Sequence, residues 1–497
     1  MTFKLDELHT PPEAPAPAER VASGELEATE DYNTYPPASV PTVVADRIIS
    51  DVFTTGGHRC LVHWDNAWWS YTGTHYQRVE PRSVRKAIQA RLKQVTVKDG
   101  NGAHKPWNPT THKINEVMDA IATEVFLAEG AEPPLWLSDV NEHGRVEAKN
   151  LPRARPLSMS NGLFNPQTGQ FGQHTANYFT TWALSFPYDP QARCPEWEKF
   201  TTEVFEHDPK AALLLQEFMG YLISGRTDLH KALMVVGVPR AGKGTIQRVM
   251  TALMGASNVA APTLTSLGGQ FGASALIGKP LAILADARGS DTRHGLSTAV
   301  ERLLNITGND SMGIDRKHQT EWIGTLPTRV VLMSNEIPRF SDSSQSIANR
   351  FVGFQLVTSF EGKEDRDLDG KLKAELPGIF LWSLAGLQRL NKQGRFTIPT
   401  TQAELVEGVK ESAAPVPVFL SEEYEITGDK ADWVPHTEVF ARYRLWCESN
   451  GHRPTTSVEL GRRINAANIP GVAYKNTTPP TGGKRIRLVW GVKLRDL

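Results

Sequence analysis

Cysteine is scarce in this 497-residue chain: Cys60, Cys194 and Cys447 stand far apart and in no metal-ligand spacing. That excludes a disulfide framework and a zinc finger, and it suits a reducing compartment. A charge of one sign is missing too. The 54 Lys and Arg against 55 Asp and Glu leave a formal net charge of −1, so affinity for a polyanion has to come from local patches. Long apolar runs are also absent. No stretch approaches the ~20 residues of a membrane span, and the N-terminus has no basic start followed by an apolar core. The expectation is a soluble, intracellular protein with no membrane partner.

This length predicts two to four domains, each burying its own core. From Met1 to about Pro41 the chain is rich in Pro, Ala and Glu, as in Pro11-Pro12-Glu13-Ala14-Pro15-Ala16-Pro17. It reads as a disordered leader, bounded at 1–44. Residues 45–225 read as a mixed α/β accessory region. Within it, 58–64 and 67–71 form a strand pair around Asp65-Asn66, and 84–92 and 114–127 read as helices. Short strands follow around Asn161-Gly162-Leu163-Phe164 and Thr168-Gly169, and then a long apolar-faced helix over 207–224. Trp64, Trp68, Trp69, Trp136 and Trp182 offer faces on which bases could stack, but packing inside small β units is the favoured reading.

Residues 226–400 alternate strand and helix signals in βα order, with further strands at 330–333 and 351–354. This predicts an α/β fold with a parallel sheet and a ligand at the carboxyl ends of its strands. Over 415–497, helices at 438–449 and 457–467 precede two strands, 484–490 and 491–494, read as a terminal hairpin. Helices followed by a basic hairpin suggest a winged helix. Arg462, Arg463, Lys475, Lys484, Arg485 and Arg487 would supply the positive face that a phosphate backbone requires. A solvated face on an oligomerisation cap is the alternative.

The strongest chemical signal is Gly237-Val238-Pro239-Arg240-Ala241-Gly242-Lys243-Gly244-Thr245, directly after the apolar run Ala232-Leu233-Met234-Val235-Val236. Strand, glycine turn and amphipathic helix in this order make a phosphate loop. Glycines let backbone N–H groups converge on phosphate oxygens, the helix N-terminus adds its dipole, and Lys243 adds a point charge. Gly244 occupies the slot where Ser or Thr usually helps hold Mg²⁺, so Thr245 is the nearest candidate hydroxyl. A nucleoside triphosphate is the ligand expected here. Downstream, Leu281-Ala282-Ile283-Leu284-Ala285-Asp286 puts an acid at a strand end, where a Mg²⁺ shell needs one. Asp286 stands without an adjacent second acid, so the water-activating base is sought elsewhere, with Glu301 ahead of Asp291. Asn335 ends the strand that contains Val330-Val331-Leu332-Met333, and Arg350 precedes the next one. An arginine delivered from a neighbouring subunit would offset transition-state charge.

The series Gly237…Lys243-Gly244-Thr245, Asp286, Asp310…Asp315-Arg316-Lys317, Ser334-Asn335-Glu336-Ile337-Pro338 and Asn349-Arg350-Phe351 resembles superfamily 3 helicases. More narrowly, it is similar to the phage and plasmid branch of the poxvirus-type primase–helicases. Asn161-Gly162-Leu163-Phe164, Thr168-Gly169 and Phe186-Pro187-Tyr188-Asp189-Pro190 resemble the accessory domain preceding the motor in that family. The resemblance implies an AAA+-like core, usually a hexameric ring, that uses ATP and Mg²⁺ to translocate 3′-to-5′ on single-stranded DNA and open forked DNA. It further implies that Lys243 and Thr245 serve phosphate and metal, that Asp286 is the Walker B acid and Asn335 the sensor, and that Arg350 is the arginine finger. A hairpin before the sensor strand would carry the DNA contacts Arg316, Lys317 and His318. No paired-acid metal site with a nearby histidine precedes Lys231, so primer synthesis is expected from a separate primase or polymerase. The family's setting implies the host cytoplasm of a phage or plasmid. Two rivals remain: an ATP-binding replication initiator that binds origin DNA without unwinding it, and a nucleoside monophosphate kinase-like enzyme, which shares the Gly-Lys-Gly-Thr turn.

Overall fold

In a computed structural model, the structure describes residues 33–128, 130–131, 133–146, 155–285, 293–338, 340, 346–413, 415–450 and 454–495. The chain forms two compact units, one built on the chain up to Arg153 with Thr175–Thr181, the other on Ala154–His174 with Trp182–Leu497. No helix among the described residues is long and apolar enough to cross a membrane.

In the first unit, helices Pro41–Val52, Pro81–Leu92 and Thr111–Glu124 bury apolar positions at helical spacing: Val44 and Ile48, Val84 and Ile88, Ile114, Val117 and Ile121. Such an amphipathic stripe is what commits a short helix to one core. Leu61–Trp64, Ala67–Tyr71 and Tyr76–Val79 form an antiparallel sheet. Asp65 and Asn66 adopt φ of 50° and 54°, the left-handed pair that a two-residue hairpin turn requires. Trp64 and Trp69 pack edge-on against Phe179, so these two rings lie within a β-unit core. Residues 33–44, which the 1–44 leader reading includes, take part in this unit's fold. Tyr35 is 2% exposed, its hydroxyl donates to Asp51 at 2.6 Å, and Arg91 lies over its ring. One anchoring aromatic outweighs a composition that favours disorder.

The second unit is organised by five parallel strands: β1 (Ala232–Gly237), β2 (Val259–Ala260), β3 (Leu281–Ala285), β4 (Arg329–Ser334) and β5 (Phe351–Leu356). Their order in the sheet is β2-β3-β4-β1-β5. Helices α1 (Pro195–Val204), α2 (Pro209–Ser224), α3 (Lys243–Met254), α4 (Arg293–Gly308) and α5 (Leu376–Gln393) cover it. The alternation along β1 separates the layers. Leu233 and Val235 share a core with α1, α2, α3 and α5, whereas Ala232, Met234 and Val236 share one with α4 and the helix Gln402–Ala413. Covered on both faces, β1 is buried at every residue, which is why it reads as an unbroken apolar run. The accessory reading over 45–225 divides here, because α1 and α2 belong to the core of the sheet.

Helices α2 and α5 cross at glycines. A Cβ on Gly220 would lie 2.5 Å from Ser383 O, and one on Gly386 2.2 Å from Gln216 O. Beside this crossing the fully buried Glu217 accepts from Arg389 Nε at 2.6 Å, Gln393 Nε2 at 2.9 Å and the Thr397 N–H and hydroxyl at 2.7 Å each. Four donors compensate a carboxylate removed from water.

At the C-terminal end, helices Pro415–Glu423, His436–Ser449 and Ser457–Ala466 enclose Phe419, Tyr443, Trp446 and Leu460. The terminal hairpin expected over 484–494 does not form. Gly491, at φ 74°, turns the chain; Val492–Leu494 then pairs with Tyr424–Ile426, while Ile486–Trp490 pairs with Trp433–Pro435 and Ala473–Thr477. A single residue between two strands cannot reverse the chain into a hairpin, whereas the loop from Thr478 to Arg485 can.

Two outcomes follow from these cores. Glu217→Ala strands the donors of Gln393 and Thr397 while Arg389, 30% exposed, keeps Leu213 O at 3.0 Å, and should lower the unfolding free energy of the second unit by about 3 kcal/mol, read by urea denaturation. His436 is 1% exposed, and burial, aided by the charge of Arg487, holds its imidazole pKa below the ordinary value. Its neighbours are the Ser457 hydroxyl at 3.4 Å and the Tyr474 ring. The unfolded chain therefore takes a proton below about pH 6.5 that the folded one refuses. Stability is indifferent to this group above that pH and declines as the pH falls through it. Denaturation midpoints at pH 7.5 and 5.5 should differ less for His436→Phe than for the unsubstituted chain.

Candidate functional site

The site begins where β1 runs out. Val236 registers with Ser334 of β4 and Ala285 of β3 with Met333, so the carboxyl ends of these strands share one edge of the sheet. Gly237 and Asn335 are the next residues on adjacent strands, ~4.8 Å apart in a parallel sheet. The residue following Ala285 is Asp286, which lies outside the described residues, as does Asp291. Asn335 is half-buried, and the buried Ser334 before it accepts from Glu336 N–H at 3.3 Å.

From Gly237 the chain turns through Val238–Gly242 into α3. Gly237 has no room for a side chain, since a Cβ would fall 2.7 Å from Leu356 Cβ. Gly242 sits at φ 93° against the Phe200 ring. Arg240 is left-handed as well, at φ 58°; proline followed by a left-handed residue is the pattern of a type II turn. Lys243 Nζ donates to Gly237 O at 2.6 Å and Val238 O at 2.8 Å, which closes the turn on itself. Burial holds the Lys243 ammonium pKa below the ordinary lysine value. Thr245 Oγ1 accepts from Arg248 Nη2 at 3.2 Å, and Arg248 is bound by Asp369 at 2.7 Å. Ala241 is buried and Gly244 exposed.

The other expected residues lie elsewhere. Arg350 ends the short helical turn Ser346–Arg350 and immediately precedes Phe351, the partner of Ala232 at the amino end of β1. It therefore lies at the edge of the sheet opposite Lys243. Lys231 joins it there: its ammonium donates to Asn349 O, and burial, then the charge of Arg350, holds its pKa down. Glu301 is solvent-exposed on α4. Among the described residues no cluster of three His, Cys, Asp or Glu side chains is placed to hold a metal ion.

The expected DNA contacts divide likewise. An antiparallel hairpin joins Ser311–Ile314 to Trp322–Thr325. Lys317 and His318 are exposed at its tip, but Arg316 folds back, its Nε donating to Thr320 O at 3.0 Å. Gln270 Nε2 donates at 3.3 Å to Asp315, where the hairpin loop begins, and Arg302 of α4 donates to Gly269 O at 2.5 Å, a connection that no sequence motif announced. On the helix Ser457–Ala466, Arg462 and Arg463 both face Glu459, at 3.8 and 3.2 Å. Lys475, Lys484, Arg485 and Arg487 are exposed, and Arg485 Nε donates to Asn476 O at 3.0 Å. Sequence reasoning also passed over Ser359, Phe360 and Glu364, whose contacts with the turn come only from folding. The charged run Glu361-Gly362-Lys363-Glu364-Asp365 was the one visible sign of that segment.

Residues 47–206 match a family model described as D5 N terminal like. Residues 235–350 match a family of unknown function, DUF5906, and residues 412–485 match a poxvirus D5 protein-like model. Among solved structures, the apo structure of the NrS-1 C-terminal region is similar at 14% identity and a TM-score of 0.48, over 86% of this chain and 95% of that one. An A-form apo structure of the NrS-1 C-terminal region follows at 13% identity and a TM-score of 0.46, with the same coverage of 86% and 95%. A D5 N-terminal-like segment followed by a poxvirus D5-like segment supports a relation to the phage and poxvirus-type primase–helicases.

Proposed function

We propose that this chain is an ATP-driven DNA helicase acting as a ring of identical subunits, with a P-loop core over 226–400 and a winged helix over 415–497. One observation carries the reading. Lys243 and Arg350 lie at opposite edges of one sheet, separated by the six paired residues of β5, about 20 Å at ~3.3 Å per residue. A guanidinium at that distance cannot touch phosphates gathered at its own Lys243. In a ring each subunit would present Arg350 to the nucleotide of the next.

The residues at the carboxyl edge suit a nucleoside triphosphate. Half-buried Lys243, held by two loop carbonyls, would exchange them for β- and γ-phosphate oxygens, and the first amides of α3 would face the same anion. Thr245 and Asp286 are the proposed Mg²⁺ partners, and Asn335 would orient water beside the reacting phosphate. When bound, Mg²⁺-ATP supplies a phosphoanhydride bond whose cleavage drives movement. Glu301 stays a weaker proposal for the base, because it lies on the solvent side of α4. Lys317 and His318 at the hairpin tip would grip the backbone of single-stranded DNA without reading bases. The exposed Lys475, Lys484 and Arg487 would hold duplex at the fork. These same cations favour, as a second reading, an initiator that uses ATP only to assemble on origin DNA.

Single-stranded DNA should raise ATP hydrolysis, and forked duplex should be opened only with hydrolysable ATP. DNA binding without strand opening would favour the initiator. Lys243→Ala should abolish both nucleotide binding and turnover. Arg350→Ala should lower the turnover number by about 10³-fold or more while leaving the dissociation constant of an ATP analogue within about threefold. Mixing the two variants should restore part of the hydrolysis, because mixed interfaces hold one intact site. No recovery at any ratio would rule out a site shared between subunits.

A further inference from the structure

The turn that carries Arg240 does not hold its shape alone. Val238 N–H donates to Leu356 O at 3.2 Å, where β5 ends. The Ser359 hydroxyl donates to Pro239 O at 3.1 Å, and Phe360 N–H donates to Arg240 O at 3.0 Å. The Arg240 side chain points back to the same segment, with Nη1 2.6 Å from Glu364 Oε1 and Nε 3.9 Å from Glu361 Oε1. Gly362 N–H donates to Glu364 Oε2 at 3.1 Å, which fixes the carboxylate that receives the guanidinium.

The N–H and C=O of a trans peptide point in opposite directions. Holding the carbonyls of Pro239 and Arg240 against residues 359 and 360 therefore turns the amides of Arg240 and Ala241 away from that segment. A left-handed residue flanked by oriented amides makes an anion-receiving concavity. It would otherwise relax, because a non-glycine residue at φ 58° gains nothing locally from staying there.

We infer that the segment Ser359–Glu364 is a bracket that pre-orients the phosphate-accepting turn, with Ser359 and Glu364 as its positioning residues. This deepens the nucleotide reading above and rests on it. The bracket touches no phosphate; it sets the direction of the donors that do. It also extends β5, whose other end begins after Arg350. Each subunit's nucleotide turn is thereby joined through one strand to the arginine it would present to its neighbour.

The test is binding of a fluorescent, non-hydrolysable ATP analogue with Mg²⁺ to the full chain. The double variant Ser359→Ala, Glu364→Gln should bind about tenfold more weakly, as loss of two modest hydrogen bonds predicts. Its thermal midpoint should stay within about 1–2 °C of the parent, because both side chains are exposed and exposed pairs add little to stability. Ser359→Thr, which keeps the hydroxyl, should bind as the parent does. Asp365→Asn, immediately after that segment, removes the exposed pair with Lys371 and should also leave affinity unchanged. Affinity within twofold of the parent in the double variant would overturn the bracket. So would an equal loss in Asp365→Asn, which would mark the segment as merely structural. No binding by the unsubstituted chain would remove the nucleotide reading itself, and the bracket with it.

Discussion

Everything at the site depends on a single strand being clasped from both sides. Ala232–Gly237 pairs in parallel with Arg329–Ser334 and with Phe351–Leu356, and each of its residues is buried. A strand so enclosed has no free edge and no exposed face, so its position is set to within a fraction of a residue. The glycine turn that follows leaves the sheet at one place and in one direction. Gly237 reinforces this, because the approach of Leu356 leaves no room for a side chain there. The same pairing fixes where Asn335 emerges on one side, and how far Arg350 is held from the turn on the other.

Polar contacts then join elements that the apolar layers only bring near. Glu217 binds α2 to α5 and to Thr397. Glu375 accepts from the amides of Glu196 and Trp197 at the start of α1. Ser359, Phe360 and Glu364 tie the post-β5 segment to the turn. Glu375 and Ser359 meet backbone groups that a helix end or a turn leaves without partners, whereas Glu217 and Glu364 also receive charged side-chain donors. The exposed Arg240–Glu364 pair is worth little as stability; its value lies in direction. In the proposed reading, this directs the amides that meet phosphate.

The cations divide according to whether they are already engaged. Arg316 is turned onto Thr320 and Arg463 onto Glu459, so their charge is partly answered within the chain. Lys317, His318, Lys475 and Lys484 remain exposed and are the better proposals for a phosphate backbone. Nothing in composition separates these groups. Only the hairpin backbone and the i, i+4 spacing on a helix that actually forms tell one arginine from another.

The sequence alone determined the parts whose cause is local. Asp65-Asn66 dictates its turn through left-handed propensity, and the run from Ala232 to Val236 announces a strand buried on both faces. The glycine turn and the lysine behind it follow from spacing, and the family likeness was legible in the order of short motifs. What it could not determine was non-local. That α1 and α2 serve the core of the sheet, that Tyr35 is pinned by Asp51 and Arg91, and that Ile486–Trp490 pairs with Ala473–Thr477 rather than with its neighbour in sequence were settled by burial and hydrogen-bond satisfaction across long stretches of chain. The bracket on the turn is the clearest case. Residues about 120 positions apart meet only because two parallel strands end side by side, and no pattern within either segment carries that information.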